Sequence, residues 1–131
     1  MYKCVTCGRE ADDLENCVMC GEWDEWCTCE PQKNLYEILV PTVSNDGKPF
    51  HTRFHRVWDQ KIRAIAGGLT IFTPAKGQWV SEDKELFIER MIPVRIMCSS
   101  EEIKMIAKIT KEYYSQLRVM YYRVSEEVFI V

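Results

Sequence analysis

The chain has 131 residues, 47% of them hydrophobic and 28% charged, with a formal net charge of −3. That length carries one ordinary core, or a small core plus a stapled mini-domain, and excludes two full hydrophobic domains. The composition excludes a disordered or low-complexity chain, and no stretch approaches the roughly 20 consecutive apolar residues that cross a bilayer.

The first predicted element is residues 1–30, which hold six of the seven cysteines, Cys4, Cys7, Cys17, Cys20, Cys27 and Cys29. The opening MYKCVTCGRE lacks the apolar region of a secretory signal, so a cytoplasmic protein is expected. In a reducing compartment, cysteines at C-x2-C spacing are metal ligands more often than disulfides, although an exported chain can use the same six as a disulfide framework. The segment is also acidic, with eight acids (Glu10, Asp12, Asp13, Glu15, Glu22, Asp24, Glu25, Glu30) against Lys3 and Arg9. The remainder carries a net +3, so the two parts differ in sign.

Cys4-Val5-Thr6-Cys7-Gly8 and Cys17-Val18-Met19-Cys20-Gly21 are two knuckles with nine residues between them. Thiolates two residues apart in a tight turn can both point at one tetrahedral ion, and a glycine after the second cysteine lets the chain reverse. On these residues, the segment 2–22 resembles a miniature zinc ribbon, although it lacks the proline that many ribbons carry after the first cysteine of each knuckle. The resemblance implies one structural Zn2+ on Cys4, Cys7, Cys17 and Cys20. Rubredoxin iron sites use similar knuckles with a much longer intervening segment. Without a metal the segment has almost no core, since Val5, Leu14, Val18, Trp23 and Trp26 cannot offset its ordering entropy. Cys27 and Cys29 can form a second site with His51 and His55, which stand at i, i+4; they can also be loop thiols beside the ribbon, or replace one of the four ligands.

The boundary is expected at Pro31–Asn34 and a second domain over 35–131. Its first strand is Leu35 to Val43, ending in the turn Ser44–Pro49. Phe54, Val57, Trp58, Ile62 and Ile65 then recur at helical period with Arg53, Arg56, Gln60 and Arg63 opposite, and the helix stops at Gly67-Gly68. Leu69–Thr73 reads as a strand, Pro74–Gly77 as a turn and Gln78–Val80 as its continuation. A long strand follows from Leu86 to Cys98, interrupted at Pro93, where a bulge or an edge position is expected. Ser99 and Glu102 form a capping box for a second helix with inner face Ile103, Ile106, Ala107, Thr110, Tyr114 and Leu117. Val119–Val124 is a further strand and Val128–Val131 a short terminal one.

The order β-α-β-β-α-β, plus the short terminal strand, predicts an α+β fold: the split β-α-β, ferredoxin-like sandwich with both helices on one face. The bare sheet face needs a cover, from a homodimer or from the cysteine module. Through Gly67-Gly68-Leu69-Thr70, Gly77-Gln78-Trp79 and the Glu89 strand followed by a tyrosine-rich helix, residues 50–131 resemble a family of small ferredoxin-like bacterial and phage proteins. The resemblance implies the fold and no activity.

For function, the leading expectation is a non-enzymatic binding or regulatory protein whose ribbon, with Trp23 and Trp26, docks a protein partner while the sheet forms a homodimer. A nucleic-acid binder through Arg53, Arg56 and Arg63 is the second reading; the acidic pI near 5.5 and the absent RNP aromatic motif count against it. The third is a small enzyme centred on His55, with Asp59 one turn on. No P-loop, nucleophile elbow, deaminase or dinucleotide motif is present, so no catalytic residues are assigned.

Overall fold

The computed structural model describes residues 2–131, and the chain divides into two compact units, Met1–Lys33 and Asn34–Val131. In the first, β1 (Tyr2–Lys3) pairs antiparallel with β2 (Glu10–Ala11), and a single 3-10 turn covers Asp24–Trp26. Its buried side chains are Cys4, Cys7, Ala11, Cys17, Asp24 and Cys27. Val5, Leu14, Val18, Met19, Trp23 and Trp26 are all more than half exposed, so sulfur fills the place of an apolar core.

The second unit runs β3 (Asn34–Pro41), α1 (Thr52–Ala66), β4 (Thr70–Ile71), β5 (Ala75–Val80), β6 (Leu86–Cys98), α2 (Ser100–Tyr113) and β7 (Tyr121–Ser125). The sheet order is β4-β6-β3-β7, with β5 also paired to β6, and every pairing is antiparallel. This is the ferredoxin-like order, with the second strand of the motif split into β4 and β5. Alternation puts Tyr36, Ile38 and Val40 of β3 beside Ile96, Val94 and Ile92 of β6 on one face. Those residues share one core with Trp58 and Ile62 of α1 and Ile103 and Ile106 of α2, so both helices cover that face. Fully burying each such aliphatic side chain contributes about 1.5–3 kcal/mol.

The helix ends follow local chemistry. Gly67, at φ 87°, closes α1 in the left-handed region and returns its N–H to the Arg63 carbonyl. Ser99 caps α2: its hydroxyl accepts from the Glu102 N–H at 3.2 Å, and Glu102 Oε1 accepts from the Ser99 N–H at 2.9 Å.

Four local expectations change. Val128–Val131 forms no strand, and its last three residues are more than four-fifths exposed. Leu117 lies beyond the end of α2 and is 86% exposed rather than on its inner face. Ala75–Gly77 belongs to β5 rather than to a turn, since these residues pair with Met91, Arg90 and Glu89. Pro93 sits within an unbroken β3–β6 register, opposite Leu39, and not at a bulge or an edge. Its carbonyl accepts from the Phe72 N–H at 2.9 Å, so its nitrogen faces the same side, where β4 has ended and β5 has not begun. The missing donor therefore falls at a gap in the neighbouring strand.

Candidate metal centre

The first unit is built from one turn used twice. Gly8, at φ 78°, gives its N–H to the Cys4 carbonyl at 2.9 Å, and the Cys4 N–H reaches the Arg9 carbonyl at 2.6 Å. Gly21, at φ 76°, gives its N–H to the Cys17 carbonyl at 2.7 Å, and the Cys17 N–H reaches the Glu22 carbonyl at 2.7 Å. Positive φ is open to glycine at no steric cost, which is why it follows the second cysteine of each pair. A bridge between Ala11 and Cys17 and a bond from the Val18 N–H to the Glu10 carbonyl join the two turns. The 3-10 turn then delivers Cys27, and the Gln32 N–H closes back on the Cys7 carbonyl at 2.6 Å.

This backbone gathers six sulfurs into two sets of four. Cys4, Cys7, Cys17 and Cys27 form one and Cys17, Cys20, Cys27 and Cys29 the other, with the sulfurs of each set within 4.8 Å of one another. Cys7 and Cys17 are 3.7 Å apart, far beyond a disulfide bond and close to the edge of about 3.8 Å that a tetrahedral ion with 2.3 Å bonds to sulfur requires. The donor set therefore fits a thiophilic divalent ion.

The thiols are electrostatically unequal. Backbone N–H groups of Cys20 and Met19 aim at Cys17, and that of Glu22 aims at Cys20, holding both thiols below the usual value. At Cys7 burial pushes upward, but the Arg9 N–H and guanidinium outweigh it and the net shift is down. Burial drives Cys27 far up, and the neighbouring sulfurs of Cys29, Cys17 and Cys7 add to this. Cys29 gains from a hydrogen bond with Cys27, yet burial and the Cys20 and Cys17 sulfurs leave it raised. Crowded sulfurs cannot all ionise without a cation among them.

The structure thus distributes the ribbon set: Cys4 and Cys7 stand with Cys17 and Cys27, while Cys20 stands with Cys17, Cys27 and Cys29. Among the described residues, neither metal-competent group contains a histidine. His51 is the N-cap residue of α1, and His55 Nδ1 lies 2.7 Å from the Tyr114 hydroxyl. Burial lowers the His55 pKa, with Asp59 partly offsetting it; burial raises that of Asp59, partly offset by His55 and Arg63. Arg53, Arg56 and Arg63 are exposed along α1. The sequence reading missed Glu37, buried on the helix-free face of the sheet, whose carboxylate accepts from Arg95 Nε at 3.0 Å and from the Tyr122 hydroxyl. It ties β3 to β6 and β7, and its one signal in the sequence was a lone acid inside an apolar strand.

No family model and no curated protein matches the sequence. Solved structures do. The periplasmic divalent cation tolerance protein CutA from Archaeoglobus fulgidus superposes with a TM-score of 0.56 at 14% identity, over 75% of this chain and 87% of that one. CutA1 from the psychrotrophic bacterium Shewanella sp. SIB1 gives 0.58 at 10%, over 78% and 88%. A phage SAM lyase in complex with S-methyl-5'-thioadenosine gives 0.56 at 14%, over 79% and 88%. The likeness is one of fold. The chain has the mixed α+β, ferredoxin-like architecture of CutA proteins, and no helix among the described residues is long and apolar enough to cross a membrane.

Proposed function

We propose that the protein is a zinc-dependent binding protein without catalysis of its own. In this reading residues 2–33 are a zinc module that docks a partner, and the ferredoxin-like body associates with a second copy of itself. The observation that carries it is the interior of the first unit, where the buried apolar positions are four cysteines and one alanine. An interior of free thiols cannot hold a segment of this length folded, whereas structural zinc contributes on the order of 10–16 kcal/mol in zinc-finger peptides. Four protein thiolates close the coordination sphere, which suits a structural ion and leaves no position for substrate.

The fold alone does not choose between binding and catalysis, since the similar structures include both divalent cation tolerance proteins and a SAM lyase. The surroundings of His55 favour binding. Its ring is engaged by Tyr114, and the cleft of about 300 Å³ beside it is lined by Ser44–Asp46, Phe50, Phe54 and Tyr113–Ser115, without the histidine. Trp23 and Trp26, 5.7 Å apart and exposed among acids, suit a partner with an apolar pocket and a basic rim. On the body, Trp79, Val80, Leu86, Phe87 and Ile88 of the β5–β6 hairpin are exposed, as are Tyr121 and Tyr122 on the edge strand β7. Covering them is the expected role of the second copy.

Elemental mass spectrometry on protein purified without added metal tests the first half, with bound zinc expected; a folded first unit free of any metal would refute it. Sedimentation velocity at micromolar concentration tests the second, with a monomer counting against self-association.

A further inference from the structure

We infer that the six thiols hold two zinc ions, joined into a single cluster by bridging Cys17 and Cys27. The inference rests on reading the first unit as zinc-bearing and adds the number of ions and their linkage. Two tetrahedral ions need eight ligand positions, and six sulfurs supply them only when two are shared. The two four-thiol sets overlap in exactly that manner of sharing: Cys17 and Cys27 belong to both, Cys4 and Cys7 to one, Cys20 and Cys29 to the other.

Distances agree. With bonds of 2.3 Å, two tetrahedra that share an edge place neighbouring sulfurs of one ion about 3.8 Å apart and the terminal sulfurs of different ions roughly 5 Å apart or more. The observed 3.7 Å between Cys7 and Cys17 is an edge of the first tetrahedron. The larger spacing agrees with the terminal pairs standing in separate sets.

Burial follows the same plan. Bridging ligands must be central, and Cys17 is 0% exposed and Cys27 7%. Cys4 and Cys7 are also buried, while Cys20 is exposed and Cys29 half-buried. The local backbone commits every cysteine. Cys20 closes the second knuckle as Cys7 closes the first, each followed by a positive-φ glycine, so one ion on the first set would leave Cys20 without metal. One ion on the second set would instead leave Cys4 and Cys7 as buried thiols without metal. Charge points the same way: one divalent ion neutralises two of six thiolates and two ions neutralise four. Arg9, which follows Cys7 and Gly8 in the chain and donates to the Glu30 carbonyl at 2.6 Å, brings a positive charge toward the remaining negative one.

The test is zinc content per chain combined with zinc-edge X-ray absorption on the full chain purified without added metal. Two zincs per chain, an all-sulfur first shell and a zinc–zinc distance of roughly 3 Å are expected from the shared edge. One zinc per chain would overturn the cluster and leave the zinc module standing. Two zincs without the metal–metal distance would overturn the bridge, and no zinc, or iron with inorganic sulfide, would overturn both readings. Because a bridging variant can unfold the unit, Cys29→Ser at the exposed rim is the second probe. It is expected to drop the count from two to one with the first unit still folded; an unchanged count would overturn the assignment.

Discussion

In Asn34–Val131 the buried side chains are mostly aromatic and aliphatic, and they pack across a sheet and two helices. In Met1–Lys33 they are mostly sulfurs, held by tight turns, while the large apolar side chains are exposed. The contrast shows what each segment needs in order to be ordered. The body buries enough apolar surface to offset the entropy of ordering its chain, whereas a 33-residue unit with sulfur inside lacks that surface, and on the proposed reading an ion makes up the difference. Stability should therefore respond to different agents in the two units.

The largest effect belongs to Cys17→Ser. Cys17 is fully buried and belongs to both thiol sets, so its loss is expected to abolish metal binding and melt residues 2–33 while the body's unfolding midpoint in urea stays unchanged. Amide hydrogen exchange reads both units at once. If protection is lost throughout the chain, the two units are one cooperative domain and the comparison collapses.

The converse perturbation is Trp58→Ala. Trp58 is 1% exposed in the body's core, and its indole N–H donates to Thr110 Oγ1 at 3.0 Å. Truncating a buried tryptophan costs about 3–5 kcal/mol, the cavity included. Urea denaturation should show that loss in the body, and elemental analysis should show wild-type metal content. A variant that loses its metal along with its core would mean that the first unit depends on the second.

Much of this was legible in the chain because the governing signals are local. The glycine after each C-x2-C pair, the capping box at Ser99 and the αL stop at Gly67 need only a few neighbours, and each appears where the residues place it. The apolar period of α1 and the alternation of β3 likewise report burial directly. What the chain hides is partnership across distance. C-x2-C spacing shows that two thiols share a turn, but it cannot show that Cys27, seven residues beyond Cys20, folds back between the knuckles. The available clue was that six cysteines fall within 26 residues, more than two C-x2-C pairs account for. Pro93 misled for a similar reason. A missing donor predicts a defect in its own strand, and the structure places the defect in the strand alongside. Val128–Val131 has the composition of a strand, but a strand also needs a partner to pair with, which composition does not report.

The smallest effect separates the units by pH. Burial holds His55 below the ordinary imidazole value of about 6.5, with Asp59 offsetting part of the shift. In the unfolded chain the same imidazole takes a proton more readily, so between pH 7 and the lowered folded value the unfolded state binds more protons. Body stability should therefore fall as pH drops through that window, with the full loss reached below the folded pKa. Asp59 works in the opposite sense, because burial raises its pKa and the penalty for its charge is relieved only as pH falls toward the carboxylate range. Its contribution to the slope near neutrality is accordingly minor. Thermal melts of the body at pH 7.5 and 5.5 should show a lower midpoint at the acid end, and His55→Gln, which keeps a polar side chain at that position, should show a smaller drop. The first unit should respond differently over the same range, because protons compete with the metal for several thiolates together and its loss should be cooperative and track zinc release. Equal pH slopes for wild type and His55→Gln would show that His55 is not the group responsible. A body melt that tracked zinc release would show that the two units do not respond to acid independently.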